Sequence, residues 1–278
     1  MSEETILDRI VARRRLDVAE AKARVPSAAL EARLDAAPPA IDFVARLRAD
    51  AAMAVIAEVK RASPSKGDIA PGIDAAAQSL RYAAGGAAGI SVLTEPTWFK
   101  GTLEDLLRTR LALEPMGTAR PAVLRKDFII DRYQLLEART SGADTVLLIV
   151  ASLDDKALGE LLADSRSLGM EPLVEVNNAD EMARALAAGA SFVGVNNRDL
   201  RSFSVDLGTT DRLAGMAGAD VLLVALSGIS SRADVERFEA AGAGAVLVGE
   251  ALMVADDPAA RIRELRGLPA QSGVAARL

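Results

Sequence analysis

The chain has 278 residues, half of them hydrophobic and only 3% aromatic, with a net charge of −6, no cysteine and no histidine. It can therefore build a sizeable core from Ala, Val, Leu and Ile, which suits helices packed on buried parallel strands. Excluded are disulfides, thiolate nucleophiles, Cys-ligated zinc sites and the usual histidine base, which leaves acid–base chemistry to Lys, Asp, Glu or Tyr. The acidic balance also argues against general nucleic-acid binding, which needs a basic face.

Residues 1–50 are helical in pattern, broken at Pro26 and at Pro38-Pro39, with no strand candidate. Near the start, Ile6, Leu7, Ile10, Val11 and Leu16 alternate with Asp8, Arg9, Arg13, Arg14 and Arg15, and no apolar stretch of a secretory signal precedes them. Glu3, Glu4 and Asp8 argue against a transit peptide, and no run is long enough to span a bilayer, so a cytoplasmic location without a membrane partner is expected. The expected organisation is a helical extension over 1–50, a single domain over 51–266 and a tail over 267–278.

From residue 55 onward the character changes. Eight short apolar runs recur, at 55–59, 89–93, 122–126, 144–150, 172–176, 191–195, 221–226 and 245–248. Between them lie stretches of helical periodicity, such as Leu103, Leu106, Leu107 and Leu111. Several of these end in glycine just before the next run, as at Gly142, Gly189 and Gly242, where a left-handed turn closes a helix. Eight strand–helix units with continuously apolar strands predict an α/β fold, a (β/α)8 barrel with an N-terminal helical extension. An open doubly wound sheet is disfavoured, because no GxGxxG or GxxxxGK[ST] segment is present.

Lysine is scarce: six residues among thirty-three cations, of which Lys60 and Lys126 close apolar runs. Arginine cannot give up a proton in a protein, whereas lysine can, and its pKa falls when it is desolvated. Each of these lysines either reaches water at a strand end or takes part in proton transfer. In a barrel the C-terminal strand ends converge on one mouth, here expected to gather Glu58 and Lys60, Thr94, Lys126 and Asp127, Ser152, Glu175 and Asn177, Asn196 to Arg198, Ser227-Gly228 and Gly249-Glu250. Glu58 and Glu175 are flanked by apolar strand residues, so each is either buried with a partner or part of a site, and the lysines are the available partners.

Glycines after the seventh and eighth runs, in Ser227-Gly228 and Gly249-Glu250, are either plain turns or the place where barrels hold a phosphate on backbone N–H groups. Ser63, in the loop Ser63-Pro64-Ser65-Lys66-Gly67, stands beside the same place. Trp98, Phe99 and Phe128 follow the second and third runs; with Leu173 they either pack loops or wall a flat pocket for an aromatic ring.

The segments IAEVKRASPSKGDI (56–69), SVLTEPTWFKGTLEDL (91–106), LRKDFIIDRYQLLEAR (124–139), EPLVEVNN (171–178), VGVNNRDL (193–200), LSGI (226–229) and VLVGEALM (246–253) closely resemble the indole-3-glycerol phosphate synthase family of tryptophan biosynthesis. The similarity runs from about residue 5 to residue 265. It implies ring closure of 1-(2-carboxyphenylamino)-1-deoxyribulose 5-phosphate with loss of carbon dioxide and water, without cofactor or metal. It further implies a phosphorylated small-molecule substrate, and other tryptophan-pathway enzymes as partners. By position in the matched motifs, Lys126 corresponds to the general acid and Glu175 to the carboxylate that takes a proton in the dehydration. Lys60, held by Glu58, is a second candidate acid, and Asn196 and Ser227 are supporting polar residues. Arg198 corresponds to an arginine near the substrate's carboxylate and phosphate end, while Ser63, Gly228, Gly249 and the backbone of Glu250 would line the phosphate. One departure is Leu226, where many relatives carry Glu. Two other readings stand beside this one: a Schiff-base aldolase with Lys126 or Lys60 as nucleophile, and a non-catalytic phosphate-ligand-binding barrel.

Overall fold

The computed structural model describes residues 4–200 and 203–269. Among these, eight parallel strands close a barrel: β1 (Ala54–Val59), β2 (Gly89–Leu93), β3 (Ala122–Lys126), β4 (Thr145–Ile149), β5 (Leu173–Val176), β6 (Phe192–Asn196), β7 (Leu222–Leu226) and β8 (Ala245–Val248). Each expected run has become a strand, with ends displaced by a residue or so, as hydrogen-bond assignment allows. β1 pairs with both β2 and β8, which closes the ring. Of the tail expected over 267–278, residues 270–278 lie outside the described residues.

The pleat sorts the strand residues into two populations. Ile56, Leu124, Leu147, Leu173, Phe192, Val224 and Leu247 fill the barrel interior. Val55, Val123, Val146, Val174, Val193, Leu223 and Val246 alternate with them and pack outward on the surrounding helices. Burial on both faces is why the runs read as continuously apolar rather than alternating. Helices α4 (Ala75–Ala84), α5 (Leu103–Leu113), α6 (Arg132–Thr140), α7 (Asp155–Ser167), α8 (Ala179–Ala187), α9 (Gly208–Ala214), α10 (Arg232–Ala240), α11 (Glu250–Met253) and α12 (Pro258–Leu265) follow the strands in turn. Gly142 and Gly189 adopt φ of 86° and 85°, the left-handed turns their positions before the next strand require.

Three helices precede β1: α1 (Ile6–Arg24), α2 (Ser27–Glu31) and α3 (Phe43–Arg48). α3 closes the N-terminal end of the barrel, with Phe43 tilted against Phe192 at a centroid distance of 5.8 Å. Gly89 makes room for it, since a Cβ there would meet Phe43 Cζ at 2.6 Å. α1, opened by a Thr5–Asp8 capping box, joins the barrel near the other end, where Leu7, Ile10 and Val11 pack in one cluster with Phe128. Arg14 extends from α1 to Asp127 at 3.0 Å. Among the described residues no helix is long and apolar enough to cross a membrane.

Candidate active site

The C-terminal mouth of the barrel opens into a cavity of about 650 Å³. Its charged wall follows from strand geometry. Side chains two apart share a face, so Glu58 near the end of β1 and Lys60 just beyond it point the same way, and Lys60 Nζ lies 2.8 Å from Glu58 Oε1. Lys126, the last residue of β3, faces inward, with its Nζ 3.6 Å from Glu175 Oε2. The other carboxylate oxygen of Glu175 accepts a hydrogen bond from Asn196 Nδ2 at 2.8 Å, and Asn196 Oδ1 accepts from the Arg198 N–H at 2.9 Å. Lys60, Glu58, Lys126, Glu175, Asn196 and Arg198 thus line one cavity.

Burial pushes the Glu58 carboxyl up, but Lys60 and then Lys126 outweigh it and hold the group below its ordinary value. For Lys126, burial pulls the ammonium toward neutrality, while Glu175 and Glu58 overcome this and raise its pKa above the usual lysine value. That reverses the expectation that desolvation lowers it: two buried carboxylates face the amine, and the charged form wins. A lysine held in its charged form is a poor amine nucleophile.

The apolar wall is made by Phe99 and Phe128, whose rings are tilted with centroids 6.0 Å apart, together with Leu147, Ile149, Leu226 and Leu247. Leu173 is not part of it. It precedes Glu175 by two residues on the same inward face, hence one layer deeper, and is wholly buried in the barrel interior. Trp98 packs against the cluster that contains Leu173, Phe128 and the α1 residues Leu7, Ile10 and Val11, and does not line the cavity.

At the opposite rim, Ser63, Ser227, Gly228, Gly249 and Glu250 all line the cavity. Ser227 and Gly228 are both in the left-handed region, at φ of 66° and 80°. For serine this is a strained conformation, held at the strand end. Gly249 lies against the ion pair, since a Cβ there would lie 2.6 Å from Glu58 Oε1 and 3.1 Å from Lys60 Nζ and would displace those side-chain ends. Lys66, from the loop after β1, reaches Glu250 at 3.3 Å.

Several residues expected at the mouth are bound into structural networks: Asp127 lines the cavity but is fully paired, while Thr94, Ser152, Asn177 and Asn197 do not line it. Thr94 donates to Asp127 at 2.6 Å, and Asp127 is further held by Arg14 and Arg125 at 3.0 Å each. Asn177 donates to the Asn196 carbonyl at 2.7 Å, Asn197 Oδ1 accepts from Thr210 Oγ1 at 2.9 Å, and Ser152 donates to the Ile149 carbonyl at 2.8 Å. Sequence reasoning passed over Leu147, Ile149 and Leu247, although their inward parity on the strands marks them. It also passed over Arg261 of α12, which lines the cavity and donates to the Ser230 carbonyl; no local pattern announces a residue so far along the chain.

The family model described as Indole-3-glycerol phosphate synthase matches residues 7–265. The chain is 56% identical over 270 residues to a multifunctional tryptophan biosynthesis protein of Schizosaccharomyces pombe, covering 96% of this chain and 35% of that protein. It therefore spans about a third of the multifunctional relatives it matches. It is 49% identical over 266 residues to an indole-3-glycerol phosphate synthase of Roseiflexus sp. (strain RS-1), covering 95% of this chain and 99% of that one. Among solved structures, a 3-hexulose-6-phosphate synthase aligns with a TM-score of 0.61 at 21% identity over 78% of this chain and 100% of that one, a likeness of fold alone.

Proposed function

Since the chain belongs to the indole-3-glycerol phosphate synthase family, we propose that it closes the indole ring of 1-(2-carboxyphenylamino)-1-deoxyribulose 5-phosphate, releasing carbon dioxide and water, as a carbon–carbon lyase. The observation that carries this reading is Lys126, an ammonium kept charged between two carboxylates inside a cavity that also holds an aromatic pair.

In the first step the ring carbon bearing the carboxylate attacks the ketose carbonyl. The new carbon–carbon bond pushes electrons onto the carbonyl oxygen, which takes a proton from Lys126, and the ring regains aromaticity by losing carbon dioxide. In the second step the hydroxyl so formed leaves as water with a second proton, given by Lys60 or by Lys126 once reprotonated from solvent, while Glu175 accepts the proton lost from the adjacent carbon. The sum is redox-neutral, so it calls for no electron carrier. Asn196 holds one oxygen of Glu175 and leaves the other toward Lys126. Lys60, paired with Glu58, is the second candidate acid and adds positive charge beside the phosphate end. Phe99 and Phe128 take the aromatic ring, Ser63, Gly228, Gly249 and the Glu250 N–H take the phosphate, and Arg198 and Ser227 orient the groups between. Because the donors are already in place in a largely buried cavity, they act with little reorganisation.

The Schiff-base alternative is not favoured, because it needs a free neutral amine, whereas Lys126 is held charged and Lys60 is ion-paired with Glu58 at 2.8 Å. Relatives that carry this unit within longer multifunctional tryptophan biosynthesis proteins support other enzymes of that pathway as partners. A cytoplasmic location belongs to the same proposal. The decisive experiment incubates the purified chain with the carboxyphenylamino ketose phosphate and follows indole fluorescence and carbon dioxide release. Turnover with both products in equal amounts is expected; no turnover would overturn the reading.

A further inference from the structure

The loop between β2 and α5 is folded around a carboxylate that none of the roles above uses. Glu95 is fully buried. Its hydrogen bonds come from backbone N–H groups: Oε1 accepts from Thr97 at 2.9 Å, and Oε2 accepts from Trp98 at 2.7 Å and from Phe99 at 3.0 Å, and the Arg14 guanidinium is near enough to attract it. A buried charge is tolerated only where donors of this kind replace water. The loop is closed at its neck by the Gly101 N–H donating to the Glu95 carbonyl at 2.9 Å. Gly101 also lies so close to β2 that a Cβ there would meet the Leu93 carbonyl oxygen at 2.0 Å, which fastens the neck to the strand end.

What the loop carries is the ring of Phe99. The N–H of Phe99 is one of the three donors, so the carboxylate fixes the backbone from which that ring projects into the cavity, 6.0 Å from Phe128. Trp98, fixed by the same oxygen, packs against the apolar cluster that joins α1 and Phe128 to the barrel strands. We propose that Glu95 is a positioning residue that sets the aromatic wall of the substrate pocket through Phe99, an inference that rests on the ring-closing reading for the identity of the ring. The phosphate rim stands on β1, β7 and β8, and this loop reaches toward it through its far end, where Lys100 pairs with Asp68 and the Lys100 carbonyl accepts from Arg61 at 3.1 Å. Glu95, which holds Thr97, Trp98 and Phe99, should therefore act more on the ring half of the substrate than on the phosphate half.

The test uses Glu95→Ala and Glu95→Gln in the whole chain, with circular dichroism to verify folding. Glutamine keeps the shape but presents an amide donor where an acceptor is needed, so it should give the smaller effect of the two. Trp98 is the chain's single tryptophan and reports on the loop without substrate. Its emission should shift to the red and its anisotropy fall in Glu95→Ala. In turnover assays followed by carbon dioxide release, the inhibition constant of anthranilate, the ring probe, should rise about fivefold to tenfold. That of inorganic phosphate should stay within about twofold of wild type. Unchanged Trp98 emission together with an unchanged anthranilate constant would overturn the proposal, as would an equal rise in both constants, which marks general damage. If the wild-type chain shows no turnover, it is the ring-closing reading that falls, and Trp98 emission then decides alone whether Glu95 fixes the loop.

Discussion

Lys126 Nζ and Glu175 Oε2 stand 3.6 Å apart, on strands separated by β4. They are close enough for Glu175 to favour the charged form of Lys126 and too far apart for a tight hydrogen bond. Asn196 anchors the other oxygen of Glu175, and among the described residues Oε2 has no hydrogen-bond partner. The pair is held ready rather than locked, which suits a donor and an acceptor that act on different atoms of one substrate.

Removing the Lys126 proton should stop ring closure. Lys126→Met is expected to lower kcat by about 10²- to 10⁴-fold with little change in KM. Lys126→Arg keeps the charge but holds its proton too tightly to donate, and should remain impaired. Because the folded environment raises the Lys126 pKa, the group stays protonated up to and past the ordinary lysine value of about 10.4, so no alkaline limb of kcat should appear below that pH. Steady-state kinetics of both variants and a wild-type pH profile measure this. Near-normal kcat in Lys126→Met would move the acid role to Lys60.

Lys60 differs in its surroundings, standing beside Glu58 and the phosphate rim. Lys60→Met should raise KM as well as lower kcat, since it removes positive charge from the rim proposed to take the phosphate. The comparison is the ratio of the two effects in Lys60→Met against Lys126→Met, and identical ratios would argue against separate roles.

The two rim glycines should fail in different ways. At Gly228 the positive φ of 80° disfavours any side chain, and a Cβ would meet Leu207 and Val205 at 2.7 Å each, so Gly228→Val should raise KM through a displaced turn. At Gly249 a Cβ presses on the Glu58–Lys60 pair, so even Gly249→Ala should change kcat along with KM. Kinetics on folded variants decide the point; an unchanged KM in both would relocate the phosphate cradle.

Acid should unfold the chain partly through Asp127. Burial raises its carboxyl, but Arg125 and Arg14, with the Thr94 hydroxyl and the Phe128 N–H, hold it below the usual aspartate range. A lowered folded pKa means stabilisation that is present above the unfolded value of about 3.9 and is lost as pH falls through the folded value. Asp127→Asn leaves Arg14 and Arg125 without their shared anion and should cost about 3–5 kcal/mol at pH 7. The wild-type advantage should shrink in urea unfolding near pH 3. A gap that is constant with pH would show that the charge contributes nothing.

Chelators should leave turnover unchanged. The chain has no histidine or cysteine, and its mouth carboxylates Glu58 and Glu175 already face lysines. Loss of activity in EDTA, restored by a divalent ion, is the contrary result.

Read by itself, the sequence determined the architecture and the cast of the site. Runs apolar on both faces, spaced by helical stretches and closed by Gly142 and Gly189, admit little besides a barrel. Once a barrel is granted, strand ends as far apart in the chain as Lys60, Lys126 and Glu175 must meet at one mouth. Tertiary structure alone decided the pairing and the charge states, because strand register and side-chain depth are properties of the closed ring. Closure put Glu175 and Glu58 within reach of Lys126 and so turned an expected downward shift of its pKa into an upward one. It buried Leu173 one layer beneath the cavity it was expected to wall. It drew Thr94 and Asp127 into a brace with Arg14, 113 positions before Asp127 in the chain. Local periodicity gives the face on which a side chain points; which side chains share that face at the same height depends on the stagger of all eight strands.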